Sequence, residues 1–497
     1  MSTDAVTQRW HPRWLLMLVL VYAAVAIIVV RPVIDPDVWW HLRAGQWILE
    51  HRAVPWTDPF SSYGLGKAWI AYNWLFEVLL YELYRLLGLF GPLLYVVFST
   101  LAITVALHTL ISRFESRFTR AAALTALGLG AMGPVLMPRS YLFSILFFLI
   151  ELHILFSVRE SKQARPLLLL PPLFAVWANV HIQFIYGLFV LALAIAESAF
   201  YRVMPRSQAF GPASRCAPLR PLVLVTLASC AATLITPYHM YLFESIAGVA
   251  RQSGMYDRII ELMAMDFRQP ANWLVLGLTL AGAFLVGRQP RIEPWPALLV
   301  AFGVFPAFRS RRDVWVVVIA ALVVIARSLP VTKSREQWVT WPRIAVAGVG
   351  IALAFVVVGI VRDVSPRGLE AAVALEYPVD AAQVVERRGY KGPLFNPYDW
   401  GGYLIWRLPQ LPVIMDGRAN VHGDRRIAQS IATWHGERSW ASDAELATAR
   451  VVIAPMGLGL TSLLRLDPRF ELAYEDRVAA VFVARDTPSQ RIAWQAE

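Results

Sequence analysis

Two carboxylates stand one residue apart in the stretch RPVIDPDVWWHLRAGQWILEH, residues 31–51, directly after an apolar run. Pro36 biases Asp35 toward an extended backbone, and residues i and i+2 of an extended segment share a side. Asp35 and Asp37 can therefore point into one site, where a carboxylate could act as a general base or bind a metal ion. A structural alternative is that Asp37 caps the helix that follows. Asp35 is one residue too early for that role.

Three arginines lie close together in the turn RSRRD, at Arg309, Arg311 and Arg312. The guanidinium fork matches the oxygens of a phosphate group, so this turn indicates a phosphate-binding site. The alternatives are contact with lipid headgroups and an ion pair to Asp313.

Other polar residues could complete such a site. In chain order these candidates are His41, Arg139, His181, Tyr238, His239 and Glu261. Three of them also have a structural interpretation. His41 could be a capping or interfacial residue, His181 a satisfied turn histidine, and Glu261 a solvated loop residue.

The composition is that of a polytopic membrane protein. Of 497 residues, 57% are hydrophobic and 16% are charged, whereas a soluble domain carries about 25% charged residues. The net charge of +11 does not indicate nucleic-acid binding, because the basic residues sit in short loops between apolar runs. Two cysteines exclude a disulfide framework and a zinc motif.

Apolar runs long enough to cross a bilayer, which needs about 20 helical residues, predict about eleven transmembrane helices. The candidate spans are 14–31, 91–111, 121–137, 140–157, 166–181, 184–201, 221–237, 271–287, 294–308, 313–329 and 343–361. The run 73–88 is instead predicted to be an amphipathic interfacial helix, capped by Asn73 and ended by Gly88, because its polar residues fall on one arc.

The positive-inside rule orients these helices. With a cytoplasmic N-terminus and an interfacial 73–88, the loops rich in Lys and Arg are cytoplasmic. The long loop 32–90 and all the candidate site residues then lie on the outer side. RSRRD breaks the rule there, which strengthens its interpretation as a phosphate site.

The composition changes after residue 362, and residues 362–497 predict a small soluble α/β domain outside the cell membrane. Predicted helical stretches (379–389, 424–434 and 441–449) alternate with the apolar runs GPLFN, LPVIMD, RVVIAP and VAAVFVA. WGG, at residues 400–402, is typical of a tight turn. DGR, at residues 416–418, could form an ion pair within a turn.

The arrangement resembles the GT-C superfamily, integral-membrane glycosyltransferases that use lipid-phosphate sugar donors. The resemblance rests on the acidic pair of IDPDVWWHLRAGQWI, the long first outer loop, the short basic cytoplasmic loops and the C-terminal soluble domain. WANVHIQFIYGL, TLITPYHMYLF, FPAFRSRRDVW and FNPYDWGGYLIW…IMDGR are similar to a bacterial branch. One departure is that the common relative of WANVHIQF has glycines where Ile182 and Gln183 stand.

The resemblance implies that residues 1–361 form a GT-C-like catalytic domain in the bacterial inner membrane. This domain would transfer a hexosyl or pentosyl group, with inversion, from a polyprenyl-phosphate donor. Asp35 is the expected general base, and Asp37 would orient the acceptor. The RSRRD arginines would hold the donor phosphate, with Arg139 and His181 lining the pocket.

The cofactor and the acceptor stay open. The two aspartates could hold Mg²⁺ or Mn²⁺, although two carboxylates alone would bind it weakly. The acceptor could be a glycan, a lipid or a protein, and membrane lipids are further partners. Two rival hypotheses are a transporter or flippase for lipid-linked glycans and a non-catalytic scaffold for envelope assembly. The first would need ionisable residues deep within spans, and almost none occur there.

Overall fold

The computed structural model describes residues 13–32, 35–204, 216–251, 254, 259–330 and 341–485. Its first part is helical, with short 3-10 turns at Gly133–Val135, Arg165–Leu169 and Arg311–Asp313. The helices are α1 (Arg13–Val29), α2 (Pro36–His51), α3 (Trp74–Leu87), α4 (Phe90–Ser112), α5 (Phe118–Met132), α6 (Tyr141–Ser161), α7 (Leu170–Val180), α8 (Phe184–Val203), α9 (Leu219–Ala232), α10 (Tyr241–Arg251), α11 (Pro270–Gly287), α12 (Pro294–Arg309), α13 (Val314–Ser328) and α14 (Trp341–Val361).

The helical part is a multi-pass membrane structure. Among the described residues, the four helices α4, α6, α8 and α11 are long and apolar enough to cross a bilayer. A bent pair, Gly348–Val361 with Pro366–Glu376, passes the same requirement with a bend of 51°. The predicted spans all fall on apolar helical segments. Because several of these segments are shorter than a bilayer crossing needs, the count of about eleven stays a prediction.

Helix α13 lies at the centre of the bundle. It is apolar all round and buried along almost its whole length, as expected of a helix surrounded by others. It packs against α5, α11 and α12. Because α13 begins directly after the RSRRD turn, the packing of the core fixes where that turn lies.

The first loop forms two packed helices, α2 and α3. Asn73 and Gly88 occupy the cap positions of α3 as predicted, although the Asn73 side chain makes no capping hydrogen bond. The alternative that Asp37 caps α2 is wrong, and so is the expectation that Asp35 lies one residue too early to do so. The helix begins one residue earlier, at Pro36, and Asp35 is its N-cap, because proline suits the first helical position.

The C-terminal segment, residues 362–485, combines helices with a four-stranded sheet of order β1-β2-β4-β3. Strand β2 pairs parallel with β1 and antiparallel with β4, which also pairs antiparallel with β3. The elements are α15 (Pro366–Glu376), α16 (Val379–Arg387), β1 (Leu394–Phe395), α17 (Tyr398–Arg407), α18 (Ala419–His435), a 3-10 turn (Trp440–Ser442), α19 (Ala444–Thr448), β2 (Val451–Pro455), α20 (Gly459–Leu464), β3 (Phe470–Glu475) and β4 (Ala479–Ala484).

Two local predictions in this segment are wrong. WGG is not a tight turn but lies inside α17, because its small residues let that helix approach α2. A Cβ on Gly402 would lie 2.7 Å from the carbonyl oxygen of Pro36. LPVIMD forms only isolated bridges, from Val413 to Ser61 and to Leu394. Both features join the C-terminal segment to the first loop.

A fully buried ion-pair cluster fastens the C-terminal segment to the first loop. Arg418 lies 2.7 Å from Asp58 Oδ1 and 2.6 Å from Asp416 Oδ2, so DGR does form the ion pair that was one interpretation of it. The guanidinium also lies 4.4 Å from the centre of the Trp69 ring. Asp58 and Trp69 belong to the first loop, so Arg418 connects two regions that are far apart in sequence.

Replacing Arg418 should destabilise the protein strongly. Arg418→Ala leaves two buried carboxylates without their cation, and breaking a buried ion pair costs about 3–5 kcal/mol. The matched control is Arg407→Ala, which removes the surface pair between Arg407 and Glu386, whose side chains are 35% and 43% exposed. That loss should be under about 1 kcal/mol. Unfolding of both variants in detergent checks this, and equal losses would contradict the connecting role of Arg418.

Candidate functional site

A cavity of about 710 Å³ lies where the first loop, the turns at one end of the bundle and the C-terminal segment meet. Of the residues predicted for the site, seven line it: Asp37, His41, Arg139, His181, Glu261, Arg311 and Arg312. The chain therefore brings the acidic stretch and the RSRRD turn, about 270 positions apart in sequence, to the wall of one cavity.

Arg139 is the centre of the charged cluster in this cavity. Its Nε lies 2.8 Å from Asp35 Oδ2, its Nη1 contacts Asp37 Oδ2, and its Nη2 lies 3.2 Å from Glu261 Oε2. The guanidinium is 13% exposed. The Tyr95 hydroxyl donates a hydrogen bond to the Arg139 carbonyl at 2.8 Å and so holds the backbone of the turn before α6. The Arg139 guanidinium thus contacts three carboxylates at once.

Asp35 and Asp37 have different environments. Asp35 is 4% exposed, its Oδ1 accepts a hydrogen bond from the Asp37 backbone at 2.9 Å, and its Oδ2 accepts one from Arg139. Burial raises the pKa of Asp35, while the charge of Arg139 opposes the rise. Asp37 lines the cavity, and its side chain is 16% exposed. Asp37 is therefore the member of the pair that can reach a bound molecule.

Backbone hydrogen bonds fasten the RSRRD turn to the segment that carries Glu261. The Arg312 N–H donates to the Glu261 carbonyl at 3.0 Å, and the Arg311 N–H donates to the Met263 carbonyl at 3.0 Å. Although burial opposes it, the charges of Asp313 and Glu261 raise the pKa of Arg312. Within the part of the chain that the structure describes, Arg312 Nε has no hydrogen-bond partner. Because Arg312 also lines the cavity, its positive charge can attract an anion bound there.

Arg311 is less available than Arg312. Its Nε donates to the Ala264 carbonyl at 3.1 Å, and its Nη2 lies 3.8 Å from Asp266 Oδ2. Asp313 is buried next to Gln183, whose amide donates to it. Of the two arginines of the turn that line the cavity, Arg311 is therefore held by the loop that carries Glu261, whereas Arg312 keeps an Nε without a partner among the described residues.

Four predicted site residues, Asp35 and three others, are not among those that line the cavity. The Tyr238 hydroxyl donates to the Pro55 carbonyl at 2.8 Å and accepts from the Ala71 N–H at 3.2 Å, so it braces the first loop. His239 has a positive φ of 46° and lies on an exposed turn, with Nδ1 3.1 Å from the Leu234 carbonyl. Arg309 lies over the Phe305 ring.

His41 and Glu77 form a buried pair in the cavity wall, with Nδ1 and Oε1 3.3 Å apart. Burial lowers the pKa of His41 to about 3 and raises the pKa of Glu77 to about 8. At neutral pH the pair is thus uncharged, with a protonated carboxyl beside a neutral imidazole. The Nδ1 of His181 lies 2.9 Å from Ser144 Oγ.

The structure adds cavity residues that the sequence reasoning did not select. They are Tyr72, Tyr141, Tyr398, Asp399, Arg418 and Asn420. Tyr398, Asp399 and Arg418 belong to FNPYDWGG and DGR, two motifs quoted for local structure and for the resemblance but not assigned to the site. The available signal was the resemblance of those motifs to a known family. No local sequence pattern indicates that Tyr72 lines the cavity.

Gly417 brings the C-terminal segment against Asp37. A Cβ at this position would collide with Asp37 Oδ1 and would lie 3.1 Å from Trp40 Nε1, so glycine lets the turn approach Asp37 without displacing its side chain. The Tyr398 hydroxyl donates to the Gly417 carbonyl at 2.8 Å and holds it there. The C-terminal segment is therefore part of the site, not a separate cover.

Comparisons with known proteins are informative at the level of structure alone. No protein-family profile and no curated protein matches the sequence. The fold superposes on ArnT from Cupriavidus metallidurans bound to undecaprenyl phosphate, with a TM-score of 0.51 and 13% identity over 96% of this chain and 100% of that one. For arabinofuranosyltransferase AftD from Mycobacteria the TM-score is 0.50 with 13% identity, over 97% of this chain and 40% of that one. The predicted GT-C fold is thereby confirmed.

The buried pair of His41 and Glu77 predicts a pH dependence of stability. The folded protein keeps the Glu77 proton up to about pH 8, whereas the unfolded chain releases it near 4.5, so stability falls as the pH rises between these values. Burial lowers the pKa of His41, so its contribution to stability rises with pH and no longer changes above about pH 6.5. Glu77→Gln should therefore flatten the fall in the unfolding temperature between about pH 6.5 and about pH 9.

Thermal unfolding in detergent across this range measures the effect. The control is Glu82→Gln on the same helix, where a carboxylate pairs with Arg85 at the surface. Parallel curves for Glu77→Gln and the unsubstituted protein would show that Glu77 is ionised in the folded state.

Proposed function

We propose that the protein is a glycosyltransferase that moves a sugar from a polyprenyl-phosphate donor to an acceptor hydroxyl, on the outer face of a bacterial cytoplasmic membrane. The observation that carries the proposal is that Asp37 and Arg312 line one cavity at an end of an apolar helical bundle. The GT-C fold is consistent with it, and so is the polyprenyl phosphate bound by ArnT, which has a similar fold.

Asp37 is the base in this proposal, in place of Asp35. An acceptor hydroxyl must lose its proton as it attacks the anomeric carbon, and the base must lie within hydrogen-bond reach. Both oxygens of Asp35 already accept hydrogen bonds, while Asp37 faces the cavity. Asp35 then acts as a positioning residue, because it caps α2 and holds Arg139, which holds Asp37.

Arg312 stabilises the leaving group. As the bond from the anomeric carbon to the phosphate oxygen breaks, negative charge grows on the polyprenyl phosphate, and a fixed cation lowers the free energy of that transition state. Arg312 lines the cavity and supplies such a cation. Arg311, from the same wall, supplies a second positive charge nearby.

An isoprenoid chain suits the apolar side of the cavity. Val135 and Met137 from the turn after α5, and Val314 from the first residue of α13, line it. A donor can therefore keep its lipid in apolar surroundings while its phosphate and sugar reach the charged residues. The acceptor would bind in the part of the cavity that Tyr398, Asp399 and Asn420 of the C-terminal segment line.

Loss of the base should abolish turnover without unfolding the protein. Asp37→Asn keeps the size of the side chain, and removal of a general base lowers kcat by about 10² to 10⁴-fold. Membranes containing each variant are incubated with sugar-loaded polyprenyl phosphate, and the released polyprenyl phosphate is measured. Asp35→Asn, which keeps a capping oxygen, should lose less. A folded Asp37→Asn protein with full turnover would favour a transporter or scaffold.

Donor binding should depend on Arg312. A charge-assisted hydrogen bond contributes about 1.5–3 kcal/mol, which is about a tenfold to hundredfold change in affinity. Photocrosslinking with a diazirine-bearing polyprenyl phosphate measures this, with Arg312→Gln expected to need a correspondingly higher probe concentration. Arg309→Gln is the matched control, since Arg309 lies outside the cavity wall. Equal losses in the two variants would contradict the assignment.

A further inference from the structure

We infer that Arg139 takes the place that a divalent cation would have among the acidic residues, so that the site works with a built-in guanidinium instead of Mg²⁺ or Mn²⁺. The inference refines the proposed function, since it concerns the residues that orient the base. It also revises the expectation that Asp35 and Asp37 could hold a metal ion.

Four of the six carboxylate oxygens of Asp35, Asp37 and Glu261 are already bound. Each of the three guanidinium nitrogens of Arg139 faces a different carboxylate, on Asp35, Asp37 and Glu261. The other oxygen of Asp35 accepts the Asp37 backbone N–H. Mg²⁺ demands near-ideal octahedral coordination by oxygen. In the described parts of the chain, no three His, Cys, Asp or Glu side chains are arranged to hold a metal ion.

A guanidinium is suited to this position. It stays protonated at any physiological pH and presents its N–H groups in a fixed plane. The three carboxylates come from two separate regions, since the start of α2 supplies two and the segment before α11 supplies Glu261. Arg139 itself lies just before α6. A single cation thus fixes the relative positions of these regions, which a bound metal does in other proteins.

The same contacts make Arg139 poorly suited to bind the donor. Each of its three nitrogens already faces a carboxylate, and the surplus of negative charge around it repels a phosphate group. The phosphate is left to Arg312, whose Nε is partnerless among the described residues. The site therefore separates the cation that orients the base from the cation that receives the leaving group.

Binding of Mn²⁺ tests the inference without any transfer reaction. Electron paramagnetic resonance measures free Mn²⁺ in titrations of the full-length protein in detergent at about pH 8. The unsubstituted protein and Arg139→Lys, which keeps a cation, should show no Mn²⁺ binding that depends on Asp37. Arg139→Ala removes the cation from three carboxylates and should bind Mn²⁺ at least about tenfold more tightly. Adding Asp37→Asn to that variant should reverse the gain, and free guanidinium ion should compete.

Two results would overturn the inference. One is Mn²⁺ binding by the unsubstituted protein that Asp37→Asn abolishes, a comparison that needs no change at Arg139. The other is an Arg139→Ala protein that unfolds cooperatively, and so is folded, yet gains no Mn²⁺ affinity. Because neither measurement uses turnover, an inactive protein with the expected Mn²⁺ behaviour would refute the proposed function and leave this inference standing.

Discussion

The arrangement of the site depends on one buried guanidinium. Charged groups removed from water are tolerated only where they are paired and hydrogen-bonded, so Arg139 and its carboxylates each require the others. Asp35 and Asp37 fix the start of α2, and Glu261 fixes the segment to which the backbone of the RSRRD turn is bonded. The buried helix α13 continues from that turn. The charged cluster is thus connected to the apolar core through the chain itself.

The C-terminal segment completes the site through a second buried arginine. Arg418 joins Asp58 of the first loop to Asp416. Gly417, which stands between Asp416 and Arg418 in the turn, lies against Asp37. A shift of this segment would therefore change the surroundings of Asp37 directly. The two arginines act at different places, since Arg139 orders the acidic residues and Arg418 sets the wall opposite them. Together they leave a cavity whose polar groups converge on one region.

The sequence allowed the apolar helical segments, the helix at 73–88 and the shared location of the acidic stretch and the RSRRD turn to be predicted, because these follow from hydropathy and charge bias. It also contained the signal for the true N-cap, since Pro36 suits the first helical position. The partners could not be predicted. Arg139 is 104 positions from Asp35, and Tyr238 was selected for its polarity although its hydroxyl braces Pro55. Such pairings are set by tertiary packing, which local patterns do not encode.

Arg139 both stabilises the start of α2 and orients Asp37, so the stability of the fold and the proposed chemistry depend on the same side chain. Asp35 is bound for a structural reason, as the cap of α2, and Asp37 lies two residues later on the same turn. Any change that relaxes the cap also moves Asp37, because the same guanidinium contacts both. A separate metal ion could exchange without altering the helix, whereas Arg139 is part of the chain and its carbonyl accepts a hydrogen bond from the Tyr95 hydroxyl. The orientation of Asp37 is therefore a property of the folded chain and is established before any substrate binds.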